Sequence, residues 1–281
     1  MGIYSDVLLT VDFDRTLTAP DSSIPERNLE AIRYFIENGG AFTVNTGRSI
    51  PMTRLIQEKV PVNAPLLLYN GSAAYDVQPK KLAFVHTIDR DLWETVREVR
   101  KLFPDLNLEV QGIDCHYNFA PDPIWDAFCE RGGCPHSTAR EGQDLGPFIK
   151  FCVFGTLYDD TVARLYQATP EEIARFDKAE ALLREKYGQW VDVFRSGHRI
   201  LDVQVKGVSK GRAARELQQR LGRKILVCVG DAENDITMLE DADFAFVPND
   251  AILKDRFPNV CNCADGAVAD VIYEKIPEIL K

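Results

Sequence analysis

Two pairs of carboxylates follow apolar segments that lie far apart in the sequence. Asp12 and Asp14 come after one apolar run, and Asp231 and Asp235 come after another. Parallel sheets bind ligands outside the carboxyl ends of their strands, so we expect these side chains to converge. Clustered carboxylates repel one another and are costly to desolvate without a compensating cation. A hard divalent ion provides that compensation, and Mg2+ is the first choice when the substrate is a phosphate.

The first pair has the residue types needed for covalent phosphoryl transfer. A carboxylate that attacks phosphorus forms an aspartyl phosphate, and Asp12 is the candidate nucleophile. Asp14 could protonate the leaving oxygen and then activate water for the second step. For this spacing alone, a loop or helix cap is the commoner explanation. These roles therefore depend on the other polar residues of the chain.

Polar and basic residues also follow or open other predicted elements. The Thr46 hydroxyl and nearby backbone N–H groups around Gly47 could bind phosphoryl oxygens, and Arg48 could add a charge-assisted contact. Lys210 opens a predicted helix, where a cation opposes the helix dipole. That placement is understandable if Lys210 neutralises a phosphate or the Asp12 carboxylate. Taken singly, each residue could also belong to an ordinary helix start.

The most specific single motif is the segment from Gly230 to Asp235. Glycine permits a tight exit from the preceding strand, and Asp231 could ligate a metal directly. Asn234 and Asp235 could orient Lys210 or hold metal-bound water. A polar turn that caps the next helix explains one aspartate of this motif, but not the whole set.

The elements that position these residues alternate between strand and helix. Predicted strands cover residues 7–13, 41–44, 65–69, 200–205, 225–229 and 244–247. Predicted helices cover residues 25–38, 49–59, 209–221, 234–242 and 268–280. This order predicts an α/β fold with a doubly wound, Rossmann-like parallel sheet.

The middle of the chain does not keep this alternation. A hairpin is predicted within Tyr75–Ile88, and amphipathic helices and strand-like segments follow without a regular order. We therefore predict a core made of residues 1–78 and 198–281, interrupted by an inserted α+β cap at residues 79–197. In such an architecture, substrate specificity would come from side chains of the insertion. The candidates, each more typical of a structural residue, are His116, Tyr117, Trp125 and His136.

Composition limits the classes of partner. The chain has 281 residues, 45% hydrophobic content and a formal net charge of -10. An acidic chain without a basic patch argues against nucleic acid and against an anionic membrane surface. No apolar run approaches the roughly 20 residues of a membrane span, and the first residues lack the features of a signal peptide. We therefore expect a cytoplasmic protein.

Seven cysteines are present, and several lie near histidines. Cys115, Cys129 and Cys134, together with His116 and His136, could be imagined as a zinc site. Their spacings match no common zinc finger or ribbon, so free thiols are the expected state.

Considered together, the motifs resemble those of a known superfamily. Asp12–Leu17, Thr46–Arg48, Lys210 and Gly230–Leu239 resemble, in order, the four motifs of the haloacid dehalogenase superfamily. Asn70-Gly71 and the large insertion resemble its Cof-type phosphatases, which carry a C2 cap. The resemblance covers nearly the whole chain. It departs at residue 15, where arginine stands and glycine is commoner.

The resemblance implies a Mg2+-dependent phosphomonoesterase that hydrolyses a small phosphorylated metabolite, such as a sugar phosphate, through an aspartyl phosphate. It implies that Asp12 is nucleophile and metal ligand, and that Asp14 is the general acid/base and binds Mg2+ through its backbone carbonyl. Asp231 would complete the protein ligands, with Asn234 and Asp235 supporting them. The implied phosphate-binding residues are Thr46, Gly47, Arg48, Asn70 and Lys210.

Two other functions stay open. A phosphomutase would form the same intermediate but return the phosphoryl group to its substrate. Thr18, directly after Leu17, resembles the residue found at this point of the motif in phosphomannomutase-like proteins. The spacing from Asp231 to Asp235 favours a phosphatase. A phosphosugar-binding protein with a silent site is the other alternative, and the intact acidic residues and Lys210 argue against it.

Overall fold

The computed structural model describes residues 2–155, 169–195 and 199–281. Its strands are β1 (Val7–Val11), β2 (Ala41–Val44), β3 (Leu66–Leu68), β4 (Ala73–Asp76), β5 (Lys81–Val85), β6 (Asn107–Gly112), β7 (His116–Asn118), β8 (His136–Thr138), β9 (Phe148–Phe154), β10 (Val191–Arg195), β11 (Ile200–Val205), β12 (Ile225–Val229), β13 (Phe244–Pro248) and β14 (Asn259–Val260). Its α-helices are α1 (Glu26–Glu37), α2 (Arg54–Lys59), α3 (Leu92–Leu102), α4 (Pro123–Arg131), α5 (Pro170–Tyr187), α6 (Lys210–Arg220), α7 (Ile236–Asp241), α8 (Ala267–Asp270) and α9 (Ile276–Ile279).

The chain forms two compact units. Unit 1 comprises Met1–Arg48, Leu55–Val85 and Ser209–Lys281, and unit 2 comprises Ser49–Arg54 and His86–Val208. None of the helices in the described ranges combines the length and apolar character that a membrane crossing requires.

Unit 1 is built on a parallel sheet with strand order β14-β13-β12-β1-β2. β1 and β12 are continuous apolar runs that are buried along almost their whole length, as expected for strands covered on both faces. On one face, Leu8, Leu226 and Cys228 pack with residues of α6 and α7. The intervening residues point to the opposite face and are equally buried. The predicted α/β fold class with a parallel core is confirmed.

The third predicted strand of this sheet is arranged differently from the prediction. β3 touches the parallel sheet through one isolated bridge, between Asn45 and Leu67. Its main partner is β4, which also pairs with β5, so these strands form an antiparallel meander in unit 1. β4 and β5 form a hairpin that overlaps the one predicted within residues 75–88 and begins two residues earlier, at Ala73. The insertion was predicted to begin at residue 79, but β5 belongs to unit 1 because it completes this meander.

Unit 2 contains a six-stranded sheet with order β10-β11-β9-β6-β7-β8. Its pairs are antiparallel, except that β7 and β8 run parallel. One face packs against α3 and α5, which contribute Val96, Val99, Phe176 and Leu183 to a hydrophobic core. The opposite face carries the side chains of Cys152 and Phe154, against which α4 packs. Unit 2 therefore has the α+β character predicted for the insertion.

The assignment of β11 to the parallel core was wrong. Residues 200–205 pair with β9 and β10 and belong to unit 2, which extends to Val208. The predicted boundary between residues 197 and 198 lies outside the described residues. Leu201 and Val203 enter the core of unit 2, whereas Asp202 and Gln204 lie on the opposite face. This alternation is typical of an antiparallel strand, while the core strands of unit 1 are continuous apolar runs.

Candidate active site

The parallel pairing of β1 and β12 places the two acidic motifs side by side. Val11 pairs with Val229, and the Asp12 backbone N–H donates to the Val229 carbonyl at 2.8 Å. The carboxylates of Asp12, Asp231 and Asp235 each offer an oxygen within 4.8 Å of the others, and all are buried. We call these three residues the carboxylate cluster. Its location is the sheet edge that the sequence predicts.

Lys210 is a cation that contacts two members of this cluster. It begins α6, where the Ser209 side chain caps the helix by accepting from the Arg212 N–H at 3.2 Å. The Lys210 Nζ donates to Asp12 Oδ1 and to Asp235 Oδ1, each at 2.6 Å, and its side chain is 0% exposed. Burial alone would lower the pKa of Lys210, but the adjacent carboxylates outweigh burial and raise it above its ordinary value. Lys210 therefore stays protonated.

Asp235 supports the cluster rather than facing open space. Its Oδ2 accepts from the backbone N–H groups of Asp231 at 3.0 Å and Ala232 at 3.1 Å, while Oδ1 accepts from Lys210. A Cβ at Gly230 would come within 2.6 Å of the Asp235 Cβ, so glycine is required there by close packing. The sequence had suggested a different reason, which was a tight exit from the strand.

The cluster holds more negative charge than Lys210 can balance. Burial and the neighbouring carboxylates raise the pKa of Asp12 well above its ordinary value, although Lys210 acts in the opposite direction. Burial, followed by the charge of Asp235, raises the pKa of Asp231 to about 7. Three carboxylates close to one ammonium favour either protonation or a further cation. Oxygen donors of this kind are the ligands that Mg2+ prefers, so the residues present fit that ion.

Asp14 is not one of the three residues of the carboxylate cluster and forms an ion pair with Arg48. Its carboxylate, half exposed, accepts from Arg48 Nε at 2.9 Å and from Arg48 Nη2 at 2.7 Å. The Arg48 guanidinium also lies 4.9 Å from the Phe13 ring centroid. The next residue, Arg15, has a φ of 61°, in the left-handed region that favours glycine. This conformation explains why glycine suits position 15.

The remaining predicted phosphate-binding residues lie together at the ends of β2 and β3. The Asn70 backbone N–H donates to the Thr46 carbonyl at 3.0 Å, and the Thr46 Oγ1 accepts from the Arg48 N–H at 3.2 Å. A Cβ at Gly47 would lie 2.9 Å from Asn70 Oδ1. The Asn234 side chain donates to the same Oδ1 at 3.4 Å. This contact joins the second acidic motif to the group around Thr46.

Two residues of the site were not selected from the sequence. Thr16 donates from Oγ1 to Asp231 Oδ1 at 3.2 Å. Asn45 donates from Nδ2 to the Lys210 carbonyl at 2.9 Å, while its buried Oδ1 has no hydrogen-bond partner among residues 2–155, 169–195 and 199–281. A usable signal existed for Asn45, because it is the first polar residue after the apolar end of β2.

Candidate specificity residues in unit 2 have structural partners. His116 is buried, with Nδ1 2.7 Å from Glu109 Oε1, and the buried Trp125 donates from Nε1 to Glu109 Oε2 at 2.8 Å. His136 Nδ1 lies 2.9 Å from the Cys134 carbonyl oxygen. These contacts support the structural explanation that the sequence already favoured for them.

Comparison with known proteins identifies the family. A model of the haloacid dehalogenase-like hydrolases matches residues 9–272, which is nearly the whole chain. This chain belongs to that family. The match confirms the superfamily predicted from the four motifs and accounts for both acidic pairs on one sheet.

Individual relatives agree with the family assignment. An HMP-PP phosphatase of Serratia proteamaculans is 25% identical over 274 residues, which covers 93% of this hydrolase and 92% of that protein. A haloacid dehalogenase-like hydrolase from Bacteroides thetaiotaomicron has a TM-score of 0.77 at 18% identity, covering 97% and 99% of the two chains. A subclass IIB sugar phosphatase of the superfamily has a TM-score of 0.74 at 16% identity, with coverage of 97% and 99%. The solved structures show the fold, and the family with its relatives supports a phosphatase of the Cof type.

Proposed function

We propose that this hydrolase is a Mg2+-dependent phosphomonoesterase that acts on a small organic phosphate through an aspartyl phosphate on Asp12. One observation carries the proposal. Lys210 fixes one oxygen of Asp12 at 2.6 Å, while Asp12 Oδ2 accepts no hydrogen bond from the described residues. A carboxylate held by one oxygen with the other unengaged is suited to nucleophilic attack.

The proposed reaction has two displacements at phosphorus. In the first, Asp12 Oδ2 bonds to phosphorus while the bond to the leaving oxygen breaks, and Asp14 donates a proton to that oxygen. In the second, Asp14 takes a proton from water as the water oxygen attacks phosphorus, which releases phosphate and restores Asp12. The Asp14 side chain is 50% exposed, which supports exchange of protons with an incoming substrate and water.

Binding of the phosphoryl group would fall to the residues around Asp12. Lys210 is protonated beside the nucleophile, and the group of Thr46, Gly47 and Asn70 offers a hydroxyl, backbone N–H groups and an amide. Positive charge and fixed donors stabilise a phosphoryl group as charge redistributes during transfer. Arg48 was predicted from the sequence as a further phosphate contact, but it is paired with Asp14 in this structure, and we propose that it acts through that carboxylate.

Mg2+ would be held by Asp12, Asp231 and the backbone carbonyl of Asp14. When bound, it would neutralise the crowded carboxylates and the charge of the phosphoryl group. Asp235 is assigned to support rather than to ligation, because both of its oxygens already accept hydrogen bonds. Asn234 is assigned to support through its contact with Asn70. A cytoplasmic location stays a prediction from the sequence.

The substrate class is proposed from two sources. The acidic cluster with a single lysine suits a compact phosphate ester, and the relatives include proteins named as an HMP-PP phosphatase and a sugar phosphatase. We therefore propose a small phosphorylated metabolite, with sugar phosphates as the first candidates.

The test is phosphate release across a panel of sugar phosphates, HMP-PP and other phosphorylated metabolites, with and without Mg2+. Mg2+-dependent release of inorganic phosphate, absent in Asp12→Asn, is the expected result. An isomerised ester without net phosphate release would instead identify a phosphomutase. Saturable binding of a phosphosugar without any product would identify a silent binding protein.

A further inference from the structure

Two cysteines are brought together by the way α4 ends. The helix runs to Arg131 and is followed by two glycines and Cys134. The Cys134 N–H donates to the Cys129 carbonyl at 2.9 Å, and the Gly133 N–H donates to the Glu130 carbonyl at 3.0 Å. Gly133 has a φ of 65°. This is the Schellman ending of a helix, in which the side chains three residues before and two residues after the helix cap meet.

The two thiols occupy a buried position in unit 2. Cys129 is 0% exposed and Cys134 is 3% exposed, and both belong to the hydrophobic cluster between α4 and the sheet. Neither is part of a disulfide. Their neighbour His116 is fixed by its contact with Glu109.

The surroundings shift the pKa values of the two thiols in opposite directions. A hydrogen bond from the Cys129 thiol and the charge of His116 lower the pKa of Cys134 to about 5, although burial opposes this. The same hydrogen bond and burial raise the pKa of Cys129. His116 itself is held positively charged by Glu109, which raises its pKa to about 9 against the effect of burial. Cys134 is therefore the more acidic of the two thiols, and the charge of the nearby His116 favours its thiolate form.

We propose that Cys129 and Cys134 form a peroxide-sensitive dithiol that converts reversibly to an intramolecular disulfide. In the first step the Cys134 thiolate attacks one oxygen of hydrogen peroxide, the O–O bond breaks, and hydroxide leaves as Cys134 becomes a sulfenic acid. In the second step the Cys129 sulfur attacks the Cys134 sulfur. The S–O bond breaks, the Cys129 proton is lost, and water leaves. The sulfurs are oxidised by two electrons and the peroxide is reduced.

Burial decides which oxidant fits. A nearly inaccessible thiolate excludes bulky disulfides such as oxidised glutathione as the first oxidant, whereas hydrogen peroxide is close to water in size. Metal binding is a weaker use for the pair. Within the described ranges, the carboxylate cluster is the one group of three or more metal-ligating side chains within 4.8 Å of one another. The zinc site considered from the sequence is therefore not supported.

Other cysteines provide an internal comparison. Cys115 and Cys261 are more exposed than Cys134, but burial and their neighbours raise the pKa of each thiol. If exposure governed reactivity, these two would be oxidised first. If thiolate character and an adjacent second thiol govern it, the pair at the end of α4 reacts first.

The experiment treats the full-length protein with hydrogen peroxide at neutral pH, blocks remaining thiols with an alkylating reagent and maps the tryptic peptides by mass spectrometry. Cleavage after Arg131 separates Cys129 from Cys134, so the disulfide appears as two peptides joined until dithiothreitol is added. We expect this link to form at least about tenfold faster than oxidation of Cys115 or Cys261, given the difference in thiolate fraction.

Two variants decide the assignment. Cys115 lies on the same tryptic peptide as Cys129, so Cys115→Ser should retain the link and Cys129→Ser should lose it. A link that persists in Cys129→Ser would overturn the proposal, as would preferential oxidation of Cys115 and Cys261 in the wild-type protein. If Cys129→Ser does not fold, fragmentation of the linked wild-type peptides locates the bridge. Absence of any link in the wild-type protein would equally overturn the proposal.

Discussion

The Arg48 guanidinium donates two hydrogen bonds to the Asp14 carboxylate, from Nε to Oδ2 at 2.9 Å and from Nη2 to Oδ1 at 2.7 Å. From the sequence, Arg48 was assigned to the phosphate and Asp14 to proton transfer, and their pairing was not foreseen. Arg48 could position Asp14 or bind the phosphate directly. If Arg48 positions Asp14, replacing Arg48 should affect catalysis only when the Asp14 carboxylate is present. If Arg48 binds phosphate directly, its replacement should have the same effect with or without that carboxylate.

A double-mutant cycle separates these possibilities. We expect Arg48→Ala to lower kcat/KM in the wild-type background and to have little further effect in Asp14→Asn. Residues in contact show coupling of about 0.5–3 kcal/mol, which corresponds to roughly 2-fold to more than 100-fold in kcat/KM. The measurement is phosphate release from the best substrate by all four proteins. Effects that multiply without coupling would return Arg48 to a role in binding phosphate.

Asp12→Asn should remove turnover while leaving the fold intact. The amide keeps an oxygen that can accept from Lys210, but it is a poor nucleophile, and loss of a nucleophile reduces kcat by far more than about 100-fold. Steady-state kinetics and a thermal melt check both parts of the expectation. Asp6→Asn is the matched control, because Asp6 is an exposed carboxylate paired with Lys224. Retention of more than about a hundredth of wild-type kcat in Asp12→Asn would contradict the covalent role.

Removal of divalent ions should abolish phosphatase activity and lower the thermal stability of the protein. EDTA should abolish activity and Mg2+ should restore it, whereas Ca2+ should fail because it favours longer and more numerous oxygen contacts. A ligand at about 100 times its Kd stabilises a fold by about 2.7 kcal/mol, so Mg2+ should also raise Tm. Asp231→Asn should lose most of this rise and Asp6→Asn should keep it. Full activity without metal, or equal rates with Ca2+, would argue against the proposed ion.

The buried pair of His116 and Glu109 should make the stability of unit 2 depend on pH. Burial alone would lower the pKa of His116, but the Glu109 charge outweighs it and raises that pKa to about 9. Because the pKa of His116 is higher in the folded than in the unfolded protein, its contribution to the free energy of unfolding is fully present below the unfolded-state pKa, near 6.5. This contribution is lost as the pH rises through the folded-state pKa, about 9. Its size is on the order of 3 kcal/mol.

Urea unfolding at pH 6 and at pH 9.5 measures this contribution. The decrease in unfolding free energy between the two pH values should be smaller in His116→Asn than in the wild-type protein. His86→Asn replaces an exposed histidine and should behave like the wild-type protein. An unchanged decrease in His116→Asn would mean that the pair does not carry this pH dependence.

The parts of the fold that the sequence predicted are those fixed by local pattern. Continuous apolar runs that end at aspartates gave β1, β12 and the position of Asp12 and Asp231, because a parallel pair must place both ends at one edge. Lys210 was predicted from its unfavourable place at a helix start. Asp12, Asp231 and Lys210 could be predicted because the strand or helix to which each is attached gives no reason for a charged residue at that position.

The rest depended on pairings between distant segments. The alternating pattern of residues 200–205 permits several sheets, and the strand was assigned by its place in the chain order rather than by its partners. Arg48 and Asp14 stand on separate loops, so no periodicity relates their side chains. Asp235 was predicted to orient Lys210 or to hold metal-bound water, and its Oδ1 accepts from the Lys210 ammonium. Its two bonds to backbone N–H groups follow from a turn whose shape the sequence leaves open.

The difference between predicted and observed boundaries leads to a paired deletion experiment. Removing residues 86–208 and joining the ends by a short linker deletes the long segment of unit 2 and leaves β3, β4 and β5 together. Removing residues 79–197 follows the sequence-based boundary. It deletes β5, which pairs with β4, and leaves β11 without its partners β9 and β10.

The first deletion should fold cooperatively, and the second should be unstable or aggregate, because an unpaired strand exposes Leu201, Val203 and its backbone groups. All proposed catalytic residues lie in unit 1, so the first protein should retain Mg2+-dependent hydrolysis of a small aryl phosphate. Circular dichroism, a thermal melt and an aryl phosphate assay measure these outcomes. An unfolded product from the first deletion would show that unit 1 depends on unit 2 for folding. Equal stability of both products would mean that the units are not defined by the pairing of β5 with β4 and of β11 with β9 and β10.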